Sequence, residues 1–137
     1  MYKRQVLILC TGNSCRSIIG EAVINKELGN KGIKAFSAGS NPTGKVNPNA
    51  IKVLKANGAW NSSYYSKSID EIDKYAPFDL VVTVCDNAKE ACPMYNGAKK
   101  QLHIGFKDPD GKDYKAFEDT YNLIKEQLVD LVKKELL

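Results

Sequence analysis

The chain has 137 residues, of which 43% are hydrophobic and 26% charged. That is the length and make-up of one soluble globular domain able to bury a core without disulfide staples. Lys and Arg number 20 against 16 Asp and Glu, a formal net charge of +4, and no basic run is longer than Lys99-Lys100 or Lys133-Lys134. Scattered lysines speak against a nucleic-acid surface, which concentrates its basic charge and interleaves it with aromatics. No apolar run reaches the length of a membrane span, and Val6 to Leu9 is too short for the apolar core of a signal peptide. A cytoplasmic location without membrane or nucleic-acid partners is therefore expected. In that compartment thiols stay reduced, so the 4 cysteines are inert, metal-binding or catalytic rather than a disulfide framework.

Val6 to Leu9 is a continuous apolar run ending in a turn, as a strand buried on both faces would be. Ser17 to Leu28 reads as a helix, with Ile18, Ile19, Ala22 and Val23 at helical spacing and Gly29 and Gly32 closing it. Ile33 to Ala38 is a second strand. Asn47-Pro48 is an N-cap followed by Pro at the first helical position, opening a helix to about Ala56, where Asn57-Gly58 supplies the stop. Ser68-Ile69-Asp70-Glu71 fits a capping box and opens a short helix.

Leu80 to Val84 is the strongest strand, and Gln101 to Phe106 is a fourth. The last helix carries one apolar stripe: Tyr114, Phe117, Tyr121, Ile124, Leu128 and Leu131. Strands alternating with helices imply right-handed βαβ units and a parallel sheet.

The segment Cys10-Thr11-Gly12-Asn13-Ser14-Cys15-Arg16-Ser17 lies between the first strand and the first helix, where open α/β sheets bind ligands. Small residues let successive N–H groups curl around an anion, and the helix N-terminus adds positive charge. Arg16 can fork two N–H groups onto a tetrahedral oxyanion. Cys10 then lies at the bottom of an electropositive bowl, surroundings that favour a reactive thiolate, and the Ser17 hydroxyl can donate to it.

This segment resembles the low-molecular-weight tyrosine phosphatases. The resemblance extends along the chain through Ser37-Ala38-Gly39, Asn47-Pro48 and Asp108-Pro109. It implies a three-layer α/β fold, a four-stranded parallel sheet with helices on both faces, in a single domain spanning residues 1–137. It also implies Cys10 as nucleophile, Arg16 as oxyanion clamp and Asp108 as general acid, with Thr11, Gly12, Asn13, Ser14, Cys15 and Ser17 completing the oxyanion bowl. By itself, Asp108 before a Pro reads only as a turn residue.

Cys85 ends the strongest strand, and Cys92 follows immediately before Pro93. A phosphatase has no use for two further thiols beside its site, whereas a reductase needs a source of two electrons. Val81 to Cys85 with Cys92-Pro93-Met94, and the run His103, Gly105, Phe106, Asp108, Pro109, resemble the thioredoxin-coupled arsenate reductases, which share the phosphatase fold. The resemblance implies reduction of arsenate to arsenite through a Cys10, Cys85, Cys92 disulfide cascade regenerated by thioredoxin, in a monomer. Cys15 reads as structural. No metal or organic cofactor is assigned. Some members of that group bind potassium, and Asn13, Glu21 and Ser37 are the residues that would contribute, with Ser68 where an Asp is frequent.

The alternative is a phosphatase acting on phosphotyrosine or small phosphate esters, with Asp110 after the Asp-Pro pair where that family often has an aromatic. A zinc module fits Cys10-x4-Cys15 but not Cys85-x6-Cys92. A non-catalytic redox sensor is a further possibility. If residues 86–92 are helical when reduced, they span about 10 Å, beyond the roughly 7 Å Cα separation of a disulfide. That segment would then have to unwind on oxidation.

Overall fold

A computed structural model of the chain describes residues 4–86, 94–96 and 98–137. The elements are β1 (Arg4–Cys10), α1 (Arg16–Leu28), β2 (Ile33–Gly39), α2 (Pro48–Ala56), α3 (Ile69–Ile72), β3 (Leu80–Thr83), β4 (Gln101–His103) and α4 (Tyr114–Leu136). The strands form one 4-stranded sheet in the order β2-β1-β3-β4, every pair parallel. The chain passes from β1 to β2 on one side and returns to β3 on the other. The carboxyl end of β1 is therefore the point where the strand order reverses, the place where such sheets open a crevice for ligands.

Alternation along the strands sorts the core into two layers. Val6, Ile8, Leu80, Val82 and Val84 face a large cluster shared with Ile18, Ile19, Leu54, Phe117, Ile124 and Leu128, which joins α1, α2 and α4 to one side of the sheet. Leu7, Leu9 and Val81 face a smaller cluster built on Ile72 and Phe78, with Phe36 and Tyr95 packed against it. Helices lie on both faces as expected, but the second face is covered by the one-turn α3 and aromatic side chains rather than by long helices. α1 is buried along its whole first half, from Arg16 to Ile24, so its N-terminus is fixed against the end of β1.

Local signals placed the helix starts well. Asn47 Oδ1 accepts from the Asn49 N–H at 2.8 Å with Pro48 at the first helical position, and the Ser68 N–H donates to Glu71 Oε2 at 3.0 Å to open α3. Three expectations change. The third strand ends at Thr83 rather than Val84, so Cys85 follows the strand instead of ending it. The fourth strand ends at His103 rather than Phe106, although the Ile104 and Phe106 N–H groups still donate to Thr83 and Val84 carbonyls at 2.9 and 3.1 Å. In α4 the buried stripe runs through Phe117, Tyr121, Ile124 and Leu128 to Val132, with Leu131 only half-buried. Among the described residues, no helix is long and apolar enough to cross a membrane.

Candidate active site

The segment from Thr11 to Cys15 curls at the end of β1 because its carbonyls are drawn outward. The Cys10, Thr11, Gly12 and Ser14 carbonyls accept from the Ser40, Asn41, Thr43 and Asn47 N–H groups at 3.2, 2.9, 3.0 and 3.0 Å. With the oxygens turned away, the segment's N–H groups are left for the inside of the curve, the arrangement of an anion nest. Gly39 makes this packing possible. A Cβ there would lie 2.5 Å from the Thr11 carbonyl oxygen, so the end of β2 accepts the loop only when it carries no side chain.

Asn13 is the pivot. It adopts φ +48°, a left-handed conformation that Asn tolerates better than most residues. Its N–H donates to Cys10 Sγ at 3.3 Å, its Nδ2 donates to Ser17 Oγ at 2.7 Å, and its Oδ1 accepts from the Lys67 N–H at 2.8 Å. The Ser17 hydroxyl also lies 3.0 Å from Cys10 Sγ and is the donor of that contact when the sulfur is a thiolate, which has no proton to give. Two donors thus converge on one sulfur.

Arg16 opens α1 and is 3% exposed. One guanidinium nitrogen donates to the Phe106 carbonyl at 3.1 Å, and the other lies 3.6 Å from Asp108 Oδ2. The fold thereby brings Asp108, in the loop after β4, to the mouth of the bowl. A cavity of about 260 Å³ is lined by residues 10–16 together with Asn41, Thr43, Asp108 and Asp110. That volume suits a small tetrahedral oxyanion with room for a substituent or for water.

Cys15 is buried inside this curve, 3.7 Å from the Ser14 hydroxyl. Burial pushes its thiol up to about 12, with the carboxylates of Asp108 and Asp110 raising it further and the Ser14 hydroxyl partly offsetting them. Cys10 and Cys15 are free thiols, whereas Cys85 is disulfide-bonded. Cys85 is fully buried, one residue beyond Val84, whose N–H donates to the Leu9 carbonyl at 2.9 Å. The register that pairs Leu9 with Thr83 therefore sets Cys10 at the end of β1 and Cys85 two residues past the end of β3, at the same edge of a sheet whose strands lie about 4.8 Å apart. Cys92, and the segment expected to unwind, lie outside the described residues.

Behind the bowl, Glu21 is buried with Ser37 and Lys67. The Ser37 hydroxyl donates to Glu21 Oε1 at 2.5 Å, and Lys67 Nζ lies 3.8 Å from the same oxygen. Burial pushes the Glu21 carboxyl up while Lys67 and Ser37 pull it back down. Burial likewise pushes the Lys67 ammonium down, opposed by Glu21. These residues do not fit a resident potassium ion, because a lysine ammonium already faces the Glu21 carboxylate and Asn13 Oδ1 already has a donor.

Sequence reasoning alone did not single out Lys67, Asn41 or Thr43 for the site. Their bonds to the bowl join segments far apart in the chain, and the one local sign was a Gly-Asn pair that favours left-handed backbone.

Comparison with known proteins agrees with this geometry. A family model described as low molecular weight phosphotyrosine protein phosphatase matches residues 5–136. An arsenate reductase of Brevibacillus brevis is 42% identical over 116 residues, covering 85% of this chain and 84% of that protein. One from Staphylococcus aureus is 39% identical over 125 residues, covering 91% and 93%. Among solved structures, an arsenate reductase in the phosphate binding state superposes with a TM-score of 0.81 at 26% identity, covering 96% of this chain and 98% of that one. A low molecular weight protein tyrosine phosphatase from T. tengcongensis gives a TM-score of 0.76 at 25% identity, covering 96% and 99%.

Proposed function

The chain belongs to the low molecular weight phosphotyrosine protein phosphatase family, and within it we propose that this protein is an arsenate reductase working through a thiol-disulfide cascade. The observation that carries the reading is the placement of Cys85 at the same sheet edge as Cys10, two residues past the end of the adjoining strand. Its disulfide-bonded state supports a redox role, as do relatives of about 40% identity named arsenate reductases.

The bowl binds arsenate, a tetrahedral oxyanion of nearly phosphate's shape, through its N–H groups and Arg16. The Cys10 thiolate attacks arsenic(V), an As–S bond forms, and an oxygen departs as water with a proton from Asp108. The Cys85 thiolate then attacks Cys10 Sγ. The As–S bond breaks, its electron pair passes to arsenic, and arsenite leaves while a Cys10–Cys85 disulfide forms. Cys92 attacks Cys85, releasing Cys10 as a thiolate and leaving a Cys85–Cys92 disulfide. The dithiol of thioredoxin reduces that bond and is itself oxidised to a disulfide. The protein acts as a cytoplasmic monomer, and the scheme uses no metal or organic cofactor, because thiols supply both electrons.

Hydrolysis of small aryl phosphates is a side activity of the same bowl, since it needs only Cys10, Arg16 and Asp108. The family match supports this. A turnover assay measuring arsenite formed from arsenate, with and without thioredoxin, tests the main reading. Many arsenite molecules per enzyme are expected with thioredoxin and one at most without it. Rapid phosphotyrosine hydrolysis with no arsenite under either condition would replace this reading with the phosphatase one.

A further inference from the structure

Asp108 reaches the bowl from a loop anchored at two ends. On one side, Arg16 holds the Phe106 carbonyl at 3.1 Å and lies 3.6 Å from Asp108 Oδ2. On the other, Asn47 Nδ2 donates to Asp110 Oδ1 at 2.7 Å, and the Asp110 N–H donates to Asp108 Oδ1 at 3.0 Å. Asn47 itself is fixed twice. Its N–H donates to the Ser14 carbonyl of the bowl at 3.0 Å, and its Oδ1 caps α2 by accepting from Asn49 at 2.8 Å. The loop can present Asp110 this way because Gly111 takes φ +80° in a tight turn closed by the Lys112 N–H on the Pro109 carbonyl at 3.0 Å, a turn whose third position requires positive φ.

We propose that Asn47 and Asp110 form a latch that holds the Asp108 carboxyl over the Cys10 bowl, so that both act as positioning residues for the acid. The latch runs from the wall of the oxyanion bowl through Asn47 and Asp110 to one oxygen of Asp108, while Arg16 faces the other. It joins residues 63 apart in the chain and so ties the start of α2 to the acid loop. The consequence for chemistry rests on the reading that Asp108 supplies the proton. A correctly held acid speeds the departure of an oxygen and does little for oxyanion binding, which belongs to the bowl.

The test reverses the hydrogen bond. Asn47→Asp keeps the α2 cap, because Asp serves at that position as well as Asn, but removes the donor and sets two carboxylates face to face. Adding Asp110→Asn restores a bond with donor and acceptor exchanged. Two readouts are followed in the full chain: amide hydrogen exchange over residues 106–112, and the kcat and KM for arsenate. Asn47→Asp is expected to speed exchange across the loop and lower kcat about tenfold, the cost of one charge-assisted hydrogen bond, with KM changed less than twofold. The double variant is expected to return both exchange and kcat to within about twofold of the parent. A double variant no better than Asn47→Asp, or an Asn47→Asp variant with unaltered exchange, overturns the latch. If exchange follows the expected pattern but the parent protein reduces no arsenate, the latch stands and the function proposed above falls.

Discussion

The Ser17 hydroxyl lies 3.0 Å from Cys10 Sγ and accepts a hydrogen bond from Asn13 Nδ2 at 2.7 Å. When the sulfur is a thiolate it has no proton to give, so the hydroxyl is the donor of the first bond, and the second holds its oxygen in place. A donor held this way costs little reorganisation when the sulfur carries negative charge. Ser17→Ala is expected to lower kcat for arsenate about tenfold, the effect of one hydrogen bond to a charged group. Inorganic phosphate should still bind, because the N–H groups and Arg16 remain. Steady-state kinetics and phosphate titration of the variant check this, and unchanged kcat would remove Ser17 from the account.

The Glu21–Lys67 pair gives a pH-dependent outcome. Both side chains are buried, each 7% exposed, with burial opposing the charge on each and the partner supporting it. Lys67→Met leaves a buried carboxylate whose lysine partner is gone, a loss of about 3–5 kcal/mol by analogy with other broken buried pairs. In that variant the folded-state pKa of Glu21 is raised further above its ordinary value of 4.5. A group raised on folding contributes stability below its unfolded pKa and loses it as pH rises through the folded one. Lys67→Met should therefore melt much closer to the parent at pH 5 than at pH 8. Glu21→Gln combined with Lys67→Met should recover most of the loss at pH 8. Thermal melts at the two pH values decide this, and a deficit independent of pH would count against it.

Cys15 shares the bowl with Cys10, yet its thiol is pushed up to about 12 by burial and neighbouring carboxylates. It stays protonated at pH 8, where only a thiolate reacts well with an alkylating agent. Iodoacetamide at pH 8 is expected to label Cys10 well before Cys15 in protein with an intact fold, with arsenate protecting Cys10. Mass spectrometry of the labelled peptides reads this directly, and faster labelling of Cys15 would contradict the environment described for it.

Features encoded by neighbouring residues were legible before any coordinates. Asn47-Pro48 placed the start of α2, and the curl from Cys10 to Ser17 declared an anion bowl, because caps and nests are local. The stripe on α4 is read at spacings of 3, 4, 3, 4 and 3, which average 3.4. An α-helix turns every 3.6 residues and drifts about 20° per heptad, which carries the buried face from Leu131 to Val132 at the far end. The fourth strand runs short because its one partner, β3, itself ends at Thr83, opposite His103. In the site, what escaped was long-range: Lys67 reaches Asn13 across 54 residues, and Asn47 reaches Asp110 across 63. Asp108 was identified by family resemblance, since its own neighbourhood in the chain describes only a turn.

The central claim is that reduction needs the second thiol just past the adjoining strand whereas phosphate-ester chemistry does not. The most direct measurement compares Cys85→Ser with the parent protein in two assays: repeated arsenate turnover with thioredoxin, and hydrolysis of an aryl phosphate. Turnover is expected to vanish in Cys85→Ser while the hydrolysis persists at the parent's rate, and Cys10→Ser is expected to lose both. Sustained arsenite production by Cys85→Ser with thioredoxin would contradict the cascade.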